Sequence, residues 1–581
     1  MATLQSVGIQ VTETDSSPVT QAVSASIGAY VGHFNWGPVD EPILVTSEKQ
    51  LGEIFGTPTY DTDKTASSYL TAESFLKYGD ALQVIRAVPS THYNAYGKNV
   101  ATGTTVDNTT TVIKNAGNIP TTGAKAFYAR CIGKLGDGLQ VKVFHSTNAT
   151  ITVNADEISS IFTVVPNTTD WANAYYGSTA DTVKDEIHIV VYDSTGVFTG
   201  TKGAVLETWQ GLSLDPLART NSGAPNHFKT VINTGSQYIF VGAVAEVAEK
   251  SGGVWSLATN STAELRGVFN FFSGAGGLDG TLGTAADVAT ALALLHDVDN
   301  IKADLIFAEA FNDDTTALVN DALVTVATKR LDSMVFCSAP VDLHEVSTGT
   351  AKLAAVKAHR TATGGSNSVL SYVVNDSTPL YVYNKYSDSY VWIPACGHMA
   401  GLCAYTDKIA DPWFSPAGFN RGQLRGVTKL AFSPNVAERD ALYNSNINPI
   451  ISVAGQGVVL YGDKTGQTRP SAFDRINVRR LFIALQRTIS NAAKYQLFEL
   501  NDEFTRNTFI NTVEPYLRDV QGRRGIIDYR IVCDETNNTG QVIDTNRFVA
   551  DIFIKPARSI NYISLNFIAT RTGVSFTEIG A

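Results

Sequence analysis

From Asp474 to Leu565 apolar residues recur with a regularity that no other stretch of comparable length in the chain matches. Val478, Leu481, Phe482, Leu485, Ile489, Ala492 and Ala493 fall at helical spacing on one stripe, while Arg479, Arg480, Gln486 and Arg487 lie off it. Asp474 or Asn477 is placed to cap the start. A second helix is expected after Asn501-Asp502, with Phe509, Val513, Leu517 and Val520 on its stripe and Pro515 expected to kink or shorten it. Strands are expected at Ile526–Asp534, Phe548–Lys555 and Ile560–Ala569. In the last, Ile563, Leu565, Phe567 and Ala569 alternate with Ser564 and Asn566, the period of a half-buried strand. Two helices followed by three strands make a compact α/β module.

The remainder of the 581 residues exceeds one core, so about three or four domains are expected at roughly 150 residues each. Residues 1–20 hold one short strand, Val7, Ile9 and Val11 alternating with Gly8, Gln10 and Thr12, with no local hairpin mate before Pro18. A lone strand at a chain end must pair with a sheet of its own or of another subunit. A buried strand at Ala25–Val31, helices at Ser47–Phe55 and Ser67–Tyr78 and a strand at Ala81–Val88 give an α/β start. From about Asn99 to Asp181 Thr, Asn and Gly dominate, which points to an inserted β-rich domain. Helix and strand then alternate through Ala285–Leu295, Lys302–Ala308, Thr315–Lys329 and Ser333–Ser338, a βαβ pattern. The strand-like Leu380–Pro394 ends at GHMAGLCAYTD, which reads as turn-rich.

The chemistry-bearing residues are dispersed. The GVVLYGDKT run (457–465) puts Asp463 between Gly462 and Lys464, a carboxylate where a phosphate-cradling loop needs its anion. GAGGLDG (274–280) has Asp279 at the third glycine position of the dinucleotide fingerprint and reads as a glycine turn. Nine His and five Cys show no metal-ligand spacing, and no GxSxG elbow occurs. No catalytic, metal or cofactor site is expected; the chain reads as a structural protein rather than an enzyme. No apolar run reaches the ~18 residues of a membrane span, and the N-terminus has no signal-peptide pattern, so a protein made in a cytoplasm is expected, without membrane insertion. The net charge of −11 argues against nucleic acid as a partner. From Lys464 onward, however, 16 basic residues face 12 acidic ones, which leaves the C-terminal module positive and suited to an acidic partner.

Several ordered segments resemble the tail sheath proteins of contractile bacteriophage tails and related injection machines. The run from Ile476 to Asp502 is similar to that family's Arg-Arg helix followed by a Phe-Glu-x-Asn-Asp turn, here Arg479, Arg480, Phe498, Glu499, Asn501 and Asp502. GHMAGLCAYTD (397–407), Pro416-Ala417, INPII (447–451) and GQGVVLYGDKT (455–465) keep its order and spacing, and the ending from Ile552 to Gly580 resembles sheaths of the large myovirus type. Departures are Cys396-Gly397 for the usual Ser-Gly and Lys464-Thr465 for Arg-Thr. The likeness is strong over 20–90 and 380–580, fair over 185–340 and weak over 99–180.

This resemblance implies a multidomain α+β and α/β fold with β-rich and α/β domains inserted into a sheath-like core. The expected core is 21–98 with 365–570, carrying an outward-facing β-rich insertion (99–183) and an α/β insertion (184–364). Residues 1–20 and 571–581 would be arms. It further implies six-membered rings stacked helically around a tail tube, contraction that drives the tube through the host envelope, and baseplate and tail terminator proteins as further partners. The place is the virion tail, after assembly in the host cytoplasm; the alternative is the sheath of a bacterial secretion machine or tailocin. Strand exchange between subunits falls to Val7, Ile9 and Val11 in the N-terminal arm and to Ile563, Leu565 and Phe567 near the C-terminus. The basic residues Arg479, Arg480, Arg487, Arg523 and Arg524 are candidates to face the tube.

Overall fold

The computed structural model describes residues 26–561 except 59–62, 90–91, 100–111, 120–124, 146–159, 163, 178–182, 243–247, 252–253, 258–266, 273–283 and 311–312. The chain divides into two compact units. Among the described residues, the larger takes 26–409 and 416–474, and the smaller combines 410–415 with 475–561.

The larger unit is built on a six-stranded sheet in the order Val373–Asn375, Met334–Cys337, Leu305–Ala308, Gly28–Gly32, Leu82–Arg86 and Ile43–Val45. The first five are parallel and only Ile43–Val45 runs against its neighbour. The three central strands are buried residue by residue, which is why they read as short continuous apolar runs rather than alternating ones. Helices Asp63–Leu76, Asp313–Arg330 and Gly349–Ala362 make the crossovers that parallel strands require.

A second, seven-stranded sheet is wholly antiparallel: Ala204–Ser213, Glu186–Asp193, Leu139–His145, Gly267–Phe272, Asn94–Asn99, Phe127–Ile132 and Ile239–Val241. Its core gathers Phe127, Val141, Ile189, Ile232 and Phe269, and of its fully buried members only Trp36 comes from outside 94–272. The expected boundary at 183/184 therefore falls inside one sheet. The residues from 285 to 364, expected in a separate insertion, supply the strands Leu305–Ala308 and Met334–Cys337 to the sheet begun by Gly28–Gly32. Composition had marked the Thr- and Asn-rich connections; hydrogen-bonded partnership between distant strands leaves no local trace.

GHMAGLCAYTD is not a turn but most of a helix, Cys396–Ile409, buried on nearly every side. Gly397 and Gly401 lie one turn apart against helix Asp63–Leu76 and the residues after it. A Cβ at 397 would sit 2.4 Å from the Thr71 carbonyl oxygen, and one at 401 would sit 2.6 Å from the Tyr78 ring. These glycines permit close helix packing, at the propensity cost that made them look like a break.

In the smaller unit the expected helices form as Ile476–Ala493 and Glu503–Gly522. Leu481, Leu485, Phe509, Val513, Leu517 and Val520 share one core with Trp413. Neither Asp474 nor Asn477 caps the first helix: Arg475 holds that position and makes no side-chain capping bond, and the Asn477 amide donates to the Trp413 carbonyl at 3.3 Å. Pro515 does not end the second helix, which continues to Gly522. Pro515 and Asn511, whose carbonyl loses its partner, are both exposed, so water can solvate the freed oxygen. Strands Ile526–Val532 and Asp551–Pro556 pair antiparallel as a two-stranded sheet. The third expected strand, with Ile563, Leu565 and Phe567, lies outside the described residues, as do Val7, Ile9 and Val11 and the GAGGLDG turn.

Candidate assembly interface

The two places where chemistry could reside are filled by the chain itself. In the loop after Gly457–Leu460, the buried Asp463 carboxylate accepts from the Tyr443 hydroxyl at 3.4 Å, and the Lys464 ammonium donates to the Tyr443 carbonyl at 2.8 Å. The Thr465 hydroxyl donates to the Phe473 carbonyl at 2.8 Å, and a Cβ on Gly462 would meet Asn448 and Pro449. At the carboxyl ends of the parallel strands, where open α/β sheets place ligands, the helix beginning at Cys396 closes the crevice. The Cys396 amide donates to the Ser338 hydroxyl oxygen at 3.2 Å, and that hydroxyl donates to Asp376 at 2.7 Å. The Asp376 carboxylate also accepts from the Ala339 amide at 2.8 Å, and burial pushes its pKa up to about 7. Beside it in the sheet, His33 Nδ1 lies 2.7 Å from Glu309, both buried. Among the described residues no group of three or more His, Cys, Asp or Glu could hold a metal ion, and no helix is long and apolar enough to cross a membrane.

The surface of the smaller unit is different. The turn between its two helices exposes five large apolar side chains within ten residues: Tyr495 (84 %), Leu497, Phe498, Leu500 (78 %) and Phe504 (77 %), with Phe498 wholly exposed. The turn is nonetheless rigidly built. Phe498 adopts a left-handed φ of 71°. Asp502 caps the second helix by accepting from the Thr505 amide at 2.8 Å. The Asn501 amide donates to the Arg547 carbonyl at 2.8 Å, and buried Arg506 donates to the Asn501 side-chain oxygen at 3.1 Å. The sequence contained this feature in YQLFELNDEF, but its apolar residues invited assignment to a core.

The β-hairpin shows two faces. Tyr529, Ile531, Ile552 and Ile554 pack toward the helices, whereas Asp528, Arg530, Asp551, Phe553 and Lys555 are exposed. Its strands have no other partner among the described residues, which leaves two open edges.

The five arginines do not form one patch. Arg480 is only 3 % exposed, which corrects its expected placement on an outer face, and Arg479 and Arg487 are half-buried. Burial draws the Arg487 guanidinium pKa down. Arg523 is exposed but pairs with Asp411 and stacks 5.3 Å from the Trp413 ring. Arg524 is exposed in a left-handed turn, φ 68°. Helical periodicity placed three of them off the main stripe, but Ile476, Ile483, Ala484 and Thr488 are buried too, so the first helix is enclosed on more than one side.

Among the described residues, the exposed apolar turn and the two open edges of the hairpin are surfaces on which this protein could meet another chain. Comparison with known proteins gives its family. Residues 26–87 match the Gp18 domain III N-terminal region of tail sheath proteins, 286–466 the phage tail sheath central domain, and 468–570 the phage tail sheath C-terminal domain. The chain is 34 % identical to the tail sheath protein of Vibrio phage KVP40, over 99 % of this chain and 100 % of that one. With the tail sheath protein of Enterobacteria phage T4 it shares 33 % identity, over 99 % of each. The fold is shared with the sheath tail proteins of Listeria innocua (TM-score 0.51, 11 % identity, 92 % of this chain and 96 % of that one) and Desulfitobacterium hafniense (TM-score 0.50, 10 % identity, 95 % and 100 %). The chain belongs to the tail sheath protein family of contractile phages: it is a structural component of the virion tail, not an enzyme. The matched segments leave 88–285 between them, the span that holds the antiparallel sheet.

Proposed function

We propose that this chain polymerises as stacked hexameric rings around a tail tube and contracts to drive that tube through the host envelope during genome delivery. The observation that carries the reading is end-to-end identity with phage tail sheath proteins. It also favours a phage over a bacterial injection machine. Assembly takes place in the host cytoplasm, with baseplate and terminator proteins bounding the polymer. The open edges of the hairpin Ile526–Val532 and Asp551–Pro556 suit the addition of strands from neighbours, Val7, Ile9 and Val11 from one side and Ile563, Leu565 and Phe567 from the other. Main-chain hydrogen bonds of that kind tie subunits together while the bodies between them rotate. In this scheme the free energy of contraction is held in subunit packing, so no nucleotide is required, in keeping with the self-filled loop at Asp463.

Negative-stain microscopy of the purified full chain is expected to show rings or tubes with six-fold end views. A chain that stays monomeric at high concentration would overturn the proposal. Removing residues 1–20 is expected to abolish tubes while leaving the thermal transition of the larger unit in place.

A further inference from the structure

Resting on that reading of a polymerising subunit, we propose that the apolar turn Tyr495–Phe504 of one copy docks on the exposed face of the β-hairpin of a second copy, centred on Phe553. The two surfaces are opposite in character around a common apolar middle. The turn carries Glu499, Asp502 and Glu503 against Lys494, all exposed. The hairpin face presents Phe553, 60 % exposed, with Arg530 directly across the ladder from it and Lys555 two residues along. Arg558 and the exposed Ile560 follow. The acids on this face are Asp528, across from Lys555, and Asp551, which accepts from Asn537 at 3.1 Å.

Within one chain the two surfaces face apart. The turn meets the connecting end of its own hairpin, where Asn501 donates to Arg547, but Phe553 stands on the face turned away from helix Glu503–Gly522. The turn would have to pass around its own helix and sheet to reach Phe553. Three aromatic rings burying roughly 150 Å² each supply about half of the ~800 Å² per partner found in standard interfaces. Because donor and receiver are different patches, the contact is heterologous: it repeats from copy to copy and generates rings or helices rather than closed pairs. Opposite rim charges fix register and orientation.

The test uses the full chain. With Phe498 replaced by a photoreactive benzoylphenylalanine, irradiated tubes are expected to give inter-chain crosslinks mapping to 548–560. The Glu499→Lys, Glu503→Lys pair and the Lys555→Glu, Arg558→Glu pair are each expected to raise the critical concentration for tube formation about tenfold or more, with unchanged circular dichroism. All four changes together are expected to bring it back to within about threefold of the parent. Crosslinks within one chain, crosslinks in intact tails that land only on a different polypeptide, or an unaltered critical concentration would overturn the proposal while leaving polymerisation intact. If the parent chain forms no tubes at all, the reading beneath it falls as well.

Discussion

Asp376 follows the strand Val373–Asn375 with its carboxyl fully buried, and burial dominates the three hydrogen bonds, from Ala339, Ser338 and Thr378, that favour its ionised form. Its pKa of about 7 against an ordinary 3.8 means that the folded chain holds this proton more tightly than the unfolded one. Below pH 3.8 both states are protonated and the site costs nothing. Between 3.8 and 7 the cost of a buried carboxylate grows, and above 7 it is complete. His398 acts in the opposite sense: burial lowers its pKa to about 3, so it destabilises the fold as pH falls through its ordinary value of 6.5. Asp376→Asn isolates the first effect. The difference in urea midpoint between parent and variant is expected to change steadily from pH 4 to pH 7, the variant gaining relative to the parent. A constant difference across that range would show that Asp376 carries no proton. At Gly397 the obstacle is backbone, the Thr71 carbonyl oxygen, which cannot swing aside. Gly397→Ala is therefore expected to destabilise the larger unit by about 1–3 kcal/mol despite alanine's better helix propensity, as measured by urea denaturation.

At the level of elements, the start of Glu503–Gly522 is legible in Asn501-Asp502 and its inner face in a one-sided stripe whose four residues are all buried, whereas its end is not. The helix runs on past Pro515 because the loss of a donor matters by where the orphaned carbonyl points, and here Asn511 and Pro515 are both exposed. Pro515→Ala restores the amide and is expected to raise the melting temperature of the smaller unit, with a gain of up to about 2 kcal/mol, reduced by the freedom alanine returns to the unfolded chain. A lower melting temperature would mean that the proline sets a bend the hairpin relies on. The segment DETNNTG (534–540) exposes Asp534 and Glu535, yet Asn538 is buried: its side chain accepts from the Val549 amide at 2.9 Å and donates to the Val549 carbonyl at 2.7 Å. A single asparagine clasping a returning strand has no periodic signature, and only the paired structure shows it. Asn538→Ala leaves two backbone groups without that partner and is expected to cost about 1–3 kcal/mol in the thermal transition of the smaller unit.

For the whole molecule, what could be read was the kind and order of the elements; what could not was their assignment to sheets. The middle of Glu186–Asp193 (IVVY) is as apolar as Leu305–Ala308 (LIFA), and nothing within either says that one joins an antiparallel sheet and the other a parallel one. The assembly surface was hidden for a related reason, since large apolar residues carry the same letters whether they fill a core or wait for a partner. The antiparallel sheet, in contrast, arises from one continuous run with a nearly self-contained core. A fragment spanning 92–275 is expected to fold by itself with a cooperative thermal transition and dispersed amide resonances; a fragment that stays unfolded would show that Trp36 and its surroundings are indispensable.

The interruption of the six-stranded sheet also has a temporal side. Gly28–Gly32 and Leu82–Arg86, which pair with each other, have both emerged from the ribosome about 220 residues before Leu305–Ala308, the other neighbour of Gly28–Gly32. At ordinary synthesis rates that is a delay of roughly 10–45 s. During that interval the intervening antiparallel domain can close, holding the two early strands on one short tether with a sheet edge unprotected. The helices, apolar turn and hairpin of the smaller unit are translated last of all. A nascent chain thus lacks the turn and the hairpin proposed to receive a neighbour until nearly every other part of it exists, although the N-terminal arm proposed to donate a strand is made first.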